Sequence, residues 1–224
     1  MLRRDDTELA ESWLEGALAR FDADNDDVLL QTRSLLARIG ADAPRHARLA
    51  NTLSMLEHIG SHKIMTTQHR SDIDQPTLKH VHEEAGHAYF MKRQAEKTAQ
   101  RPLEYVDDDL LAPAAARMYF QRLEAAMLRT LAQQRSARAV YLYMSLIVEF
   151  RALWFYGLYQ HTLQRAHHPL SLKRLLGEEQ SHLGDVAHRL EMAGELSDAR
   201  TAKLVGCEKT LFGRLLAAMQ RAVA

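Results

Sequence analysis

A single cysteine, Cys207, is all the thiol this 224-residue chain possesses. It therefore has no internal disulfide and no cysteine-built zinc site, and such a composition suits a reducing cytosol. Glycine and proline are also scarce, at 10 and 5 residues, and no low-complexity stretch or flexible linker interrupts the chain. A single domain over residues 1–224 is expected. Charge of one sign is missing too, because 29 basic residues face 29 acidic ones. Nothing in that balance calls for a nucleic acid or an anionic membrane as partner. The opening "MLRRDDTELAESWLEG" lacks an apolar run of signal-peptide type. No phosphate-binding glycine loop and no nucleophile elbow occurs.

What is present is helical. Apolar residues recur at three- and four-residue spacing, and no segment alternates with the period of a strand. Abundant Ala, Leu, Arg and Glu reinforce an all-α reading. Breakers and caps predict helices over about residues 7–20, 26–39, from 44 through "ANTLSMLEHIGSHKIM", from 76 through "TLKHVHEEAGHAYFMKRQAEK", 113–133 and 136–165. A further helix is expected to open at Pro169, and a last one from about Ser197 closes the chain.

The stretch "YLYMSLIVEFRALWFYGLY", Tyr141 to Tyr159, is nearly long enough to span a bilayer. Glu149 and Arg151 near its centre instead mark the core helix of a soluble protein. Glu149 then needs a neutralising partner, since an isolated buried carboxylate costs several kcal/mol or more. Arg151 is two positions away and points to another side of the helix.

Two Glu-x-x-His motifs stand out, "EAGH" (Glu84, His87) and "EQSH" (Glu179, His182). Residues three apart share a helical face, so each motif aims a carboxylate and an imidazole at one point. Glu57 lies on the helix before Glu84, 27 residues upstream, and Glu149 on the helix before Glu179, 30 residues upstream. The chain thus reads Glu … Glu-x-x-His … Glu … Glu-x-x-His. This order resembles the ferritin-like family of di-iron or di-manganese carboxylate proteins.

The resemblance, over residues 44–194, implies a ferritin-like four-helix bundle with additional N-terminal, crossover and C-terminal helices. It implies Glu57 and Glu149 as single carboxylate ligands, Glu84 and Glu179 as bridging carboxylates, and His87 and His182 as one imidazole per metal ion. The cofactor it implies is two iron ions, with Mn/Fe or Mn/Mn as alternatives. Four negative charges against two divalent cations would neutralise Glu149. Glu83 and Glu178, each preceding a motif, are candidate outer carboxylates that orient a ligating histidine, or else exposed helix-face acids.

The activity expected from the resemblance is O₂ activation to oxidise a small organic substrate, with an unspecified electron donor and a possible homodimer. Iron handling or peroxide scavenging is a second expectation, although one cysteine excludes the rubredoxin-like segment usual in rubrerythrins. A metal-free helical interaction protein is a third. Two features depart from a simple bundle: the whole helix at 113–133 lies between the halves, and the single glutamates lie further from their turns than the Glu-x-x-His pairs.

Other candidates are set aside. "DADNDD", Asp22 to Asp27, begins like a calcium loop but has Asp27 and Arg33 where Gly and Glu are required, so a solvated turn capping the second helix is expected. His58, His62 and His82 lie at other helical angles than Glu57 and Glu84. Trp154, Phe155 and Tyr156 read as core, His167–His168 as loop, and Cys207 as structural.

Overall fold

The computed structural model describes residues 4–67, 73–131 and 137–224, and the side chains within them except those of 4–9, 67 and 137. The described chain is all-α. Its helices are α1 (Arg4–Asp24), α2 (Asp26–Gly40), α3 (Ala43–Thr67), α4 (Gln75–Ala99), α5 (Pro113–Thr130), α6 (Ala137–Arg165), α7 (Lys173–Met192) and α8 (Asp198–Ala222). A single 3₁₀ turn, Asp107–Asp109, lies between α4 and α5.

Local chemistry sets several of these boundaries. Asp74 accepts from the Thr77 amide at 3.0 Å with Pro76 in the first turn, and so starts α4. Gln100, in the left-handed region at φ 55°, ends it. Ser197 caps α8 by accepting from the Arg200 amide. The start of α7 differs from expectation. Pro169 does not open that helix, because the 166–172 segment is held outside it by side chains: His168 Nδ1 accepts from the Leu170 amide and Gln160 Oε1 from the Leu172 amide.

Four helices position the site. Ser54 Oγ donates to the Ala88 carbonyl and Ser61 Oγ to the Val81 carbonyl, which fixes α3 antiparallel to α4 and brings Glu57 level with Glu84. α6 packs on α7 in the same sense, with Tyr141 beside Arg189 at one end and Gln160 bonded to Leu172 at the other. The 166–172 segment thereby returns the chain to the level of Gln160. This brings Glu179 back to Glu149 despite their unequal distances from the turn. The two pairs meet along α3–α6 and α4–α7.

α6 is apolar over most of its circumference because most of it is packed inside the protein. Leu142, Tyr143, Leu146, Ile147 and Phe150 are fully buried, each contributing about 1.5–3 kcal/mol by burial. By length and composition α6 is a candidate membrane span, yet 67% of its apolar window is buried inside the protein. Around this centre α1 packs on α7, α2 on α6 and α5 on α8.

Arg151 joins these outer helices to the centre. Its Nε and Nη2 donate to the two oxygens of Glu208 on α8 at 2.9 and 2.7 Å, and Nη2 also donates to Asn25 Oδ1 at 2.7 Å. Tyr119 on α5 donates to the same Glu208 at 2.6 Å. Asp22, Ala23, Asp24, Asp26 and Asp27 are exposed, as expected of a solvated turn, and within that segment Asn25 alone turns inward. Asn25 is fully buried, its side chain binds the Phe21 carbonyl and Arg151, and it makes no side-chain cap to α2.

A candidate dinuclear metal centre

Between α3, α4, α6 and α7 the side chains of Glu57, Glu84, His87, Glu149, Glu179 and His182 converge. They form two groups. His80, Glu84, Glu149 and His182 make one, and Glu57, Glu84, His87 and Glu179 the other; within each, the donor atoms lie within 4.8 Å of one another. Glu84 belongs to both. Glu179 also reaches both sides, with Oε1 3.2 Å from His87 Nδ1 and Oε2 3.6 Å from His182 Nδ1.

His80 was not singled out in the sequence. It stands four residues before Glu84 and seven before His87, so it shares their helical face, and that i, i+4, i+7 spacing was the available signal. Its Nε2 lies 3.0 Å from Glu149 Oε1 and 3.5 Å from Glu84 Oε1, while its Nδ1 hydrogen bonds with the Tyr141 hydroxyl at 2.9 Å.

The outer carboxylates are exchanged between the halves. Glu83 on α4 accepts from His182 Nε2 on α7, and Glu178 on α7 accepts from His87 Nε2 on α4, both at 2.9 Å. A carboxylate accepts only, so each imidazole must carry its proton on Nε2 and turns Nδ1 inward. Arg174 in turn donates to Glu178 at 2.8 Å, and Lys79 lies 3.6 Å from Glu83. His58, His62 and His82 belong to neither group.

The charges are poorly balanced by protein alone. Burial raises the pKa of Glu57, and the neighbouring Glu84 and Glu179 raise it further. Burial and the Glu149 charge likewise raise Glu179. Burial opposes ionisation of Glu149 as well, but the neighbouring Glu179, His182 and His80 hold it down to about 2. Burial disfavours charge on the histidines, yet the carboxylates outweigh it and push His80 up to about 12, His182 to about 11 and His87 to about 10. Protons thus occupy the place of cations in the metal-free chain.

Protons do not satisfy every group. Glu84 Oε1, both oxygens of Glu179, and Nδ1 of His87 and of His182 are buried without a hydrogen-bond partner. Buried polar atoms are rarely left so. Four carboxylates and three imidazoles, with no sulfur, form a donor set suited to iron or manganese. Each of the two groups could therefore hold a metal ion.

Space has been left beside the centre. Gly60 on α3 faces Glu84, and a Cβ there would meet Glu84 Oε2 at 3.3 Å. A cavity of about 260 Å³ opens onto His80, Glu84 and Glu149, and a smaller one of about 80 Å³ lies on the far side against Glu57 and Tyr156. Tyr156 donates its hydroxyl proton to Glu57. Phe120 of α5 lines both cavities, so the helix that departs from a simple bundle forms a wall of the site. No protein-family model, curated protein or solved structure matches this chain.

Proposed function

We propose that the protein is a ferritin-like di-metal carboxylate oxidase or oxygenase that activates O₂ to oxidise a small organic substrate. The observation that carries the reading is the set of unpartnered inward-facing atoms of Glu84, Glu179, His87 and His182. They lie where two ions sharing Glu84 and Glu179 would be held. A pair of ferrous ions supplies the reducing equivalents and open coordination positions that O₂ chemistry needs, and Mn/Fe or Mn/Mn pairs are the alternatives.

The chain's own residues have distinct tasks. Glu57 and His87 would hold one ion, and His80, Glu149 and His182 the other. Glu83 and Glu178 fix the histidine tautomers, which keeps the inward nitrogens unprotonated when metal is bound. Tyr141, bonded to His80, and Tyr156, bonded to Glu57, hold hydroxyl protons next to the centre on its two sides. The largely apolar walls of the larger cavity would disfavour water at the face formed by His80, Glu84 and Glu149.

That apolar space favours oxidation of an organic molecule over iron handling or peroxide removal, neither of which requires a dry chamber. The test is anaerobic loading with ferrous iron followed by exposure to O₂ and a chemical reductant. Oxygen uptake beyond the loaded iron, with turnover of an added organic substrate, is expected. Uptake that stops at the iron content, with ferric iron as the sole product for every substrate tried, would contradict it.

A further inference from the structure

The larger cavity runs from the surface to the metal-ligand cluster, and its two ends differ chemically. At the inner end lie His80, Glu84 and Glu149, all buried. At the outer end lie Leu128, 51% exposed, and the Lys63–Glu124 ion pair, whose side chains are 23% and 37% exposed at 2.5 Å separation. Between them the walls are carbon, chiefly Ile64, Phe120, Met127, Met144 and Val148. Along α6 the lining extends from Val140 to Glu149, which at the helical rise spans roughly 13 Å. The cavity is therefore elongated, apolar along its length and polar at its rim.

Charge is matched at both ends. At the rim, among the described residues, the Lys63 ammonium is paired with the Glu124 carboxylate at 2.5 Å. At the inner end four carboxylates would balance two divalent ions. Neither end gives an ionic group a reason to leave water.

We propose that this cavity is the substrate chamber, and that it takes an elongated, uncharged amphiphile tail-first. The hydrocarbon part lies along Met144 and Val148 toward the metal face, and an uncharged polar terminus stays with Lys63 and Glu124. The inference rests on the di-metal reading for what happens at the inner end. The position oxidised is then on the apolar part of the substrate, away from its polar terminus. α5 contributes Phe120, Glu124, Met127 and Leu128, so it acts as the chamber's outer wall and sets which tails fit.

The test uses full-length protein loaded with Mn(II) and, as probes, hexan-1-ol, octan-1-ol and decan-1-ol with the matching carboxylates, titrated by calorimetry. Affinity for the alcohols should rise roughly tenfold for each two methylene groups until the chamber is full. The carboxylates should bind several-fold more weakly and leave the Mn(II) electron paramagnetic resonance spectrum unchanged. Met144→Trp should remove the dependence on chain length, and Met144→Ala should move the preferred length upward. The second variant keeps the test decisive if the first fails to fold. Affinity that is flat with chain length, or indifferent to both substitutions, would overturn the chamber. Carboxylates that bind more tightly than alcohols and alter the Mn(II) spectrum would overturn tail-first entry. A chain-length dependence that persists in protein unable to hold Mn(II) would sink the di-metal reading and leave the amphiphile chamber standing.

Discussion

Replacing His80 with leucine would separate the two proposed metal positions. His80 belongs to the group with Glu84, Glu149 and His182, and the group with Glu57, Glu84, His87 and Glu179 does not use it. The substitution takes one of four donors from the first position and none from the second. Loss of an outer partner of a ligand already costs about 10–100-fold in metal affinity, so loss of a donor itself should cost at least 100-fold, or about 3 kcal/mol. Anaerobic Mn(II) titration followed by calorimetry should show two binding events in the parent protein. In His80→Leu one event should persist near its original affinity, and the other should weaken by at least that factor. The metal-free variant should also be less stable, because Glu149 loses its contact at 3.0 Å and Glu84 its contact at 3.5 Å. Breaking a buried pair of this kind costs about 3–5 kcal/mol, measurable by urea denaturation. Two events of unchanged affinity would refute the assignment of His80 to the site.

Further outcomes follow from the same geometry. Glu208→Gln should destabilise the protein by about 3 kcal/mol in urea denaturation, because Arg151 stays buried without its counter-charge; a loss below 1 kcal/mol would show that the pair contributes little. Gly60→Ala should leave the fold intact and lower metal affinity, since the new Cβ presses on Glu84 Oε2 at 3.3 Å; calorimetric titration with Mn(II) decides it. Metal loading should release at least three protons at pH 7 in a pH-stat, one from each of His80, His87 and His182, with the raised Glu57 carboxyl adding to them, and affinity should rise with pH. His46 is buried against Tyr159 and His168, and burial, aided by His168, depresses its pKa from 6.5 to about 4. The unfolded chain takes up the proton first, so stability rises with pH between about 4 and 6.5. Between pH 7 and pH 5 the parent should lose about 2 kcal/mol more than His46→Gln in urea denaturation. Equal losses would refute that account.

The sequence is informative where interactions are local. Glu84 with His87, and Glu179 with His182, are three apart on one helix, and such spacing predicts a shared face without knowledge of the fold. Glu57 and Glu149 needed the order of the motifs as well. His80 escaped notice because its counterpart four residues before Glu179 is the buried Leu175, so the two halves are not equivalent there. Glu149 and Arg151 illustrate a different limit. Their divergence on α6 was legible, but Glu208, the acid that holds Arg151, lies 57 residues away on a terminal helix, and only packing joins them. α5 read as an unexplained insertion for the same reason. Its Phe120 acquires a role only once α3 and α6 are placed beside it. The start of α7 departs from the Pro169 signal because the side chains of His168 and Gln160 take up the amides of Leu170 and Leu172.

The most direct test of the dinuclear centre is metal content by elemental mass spectrometry on protein expressed with iron and manganese supplements. The parent should carry close to two ions per chain, and Glu84→Ala and Glu179→Ala, which remove the carboxylates reaching both positions, should carry far less. A parent chain that binds no iron or manganese, even after anaerobic loading with ferrous iron, would contradict the account. The buried carboxylates would then be neutralised by protons, on His80, His87 and His182 and on the carboxyl of Glu57, whose pKa burial raises.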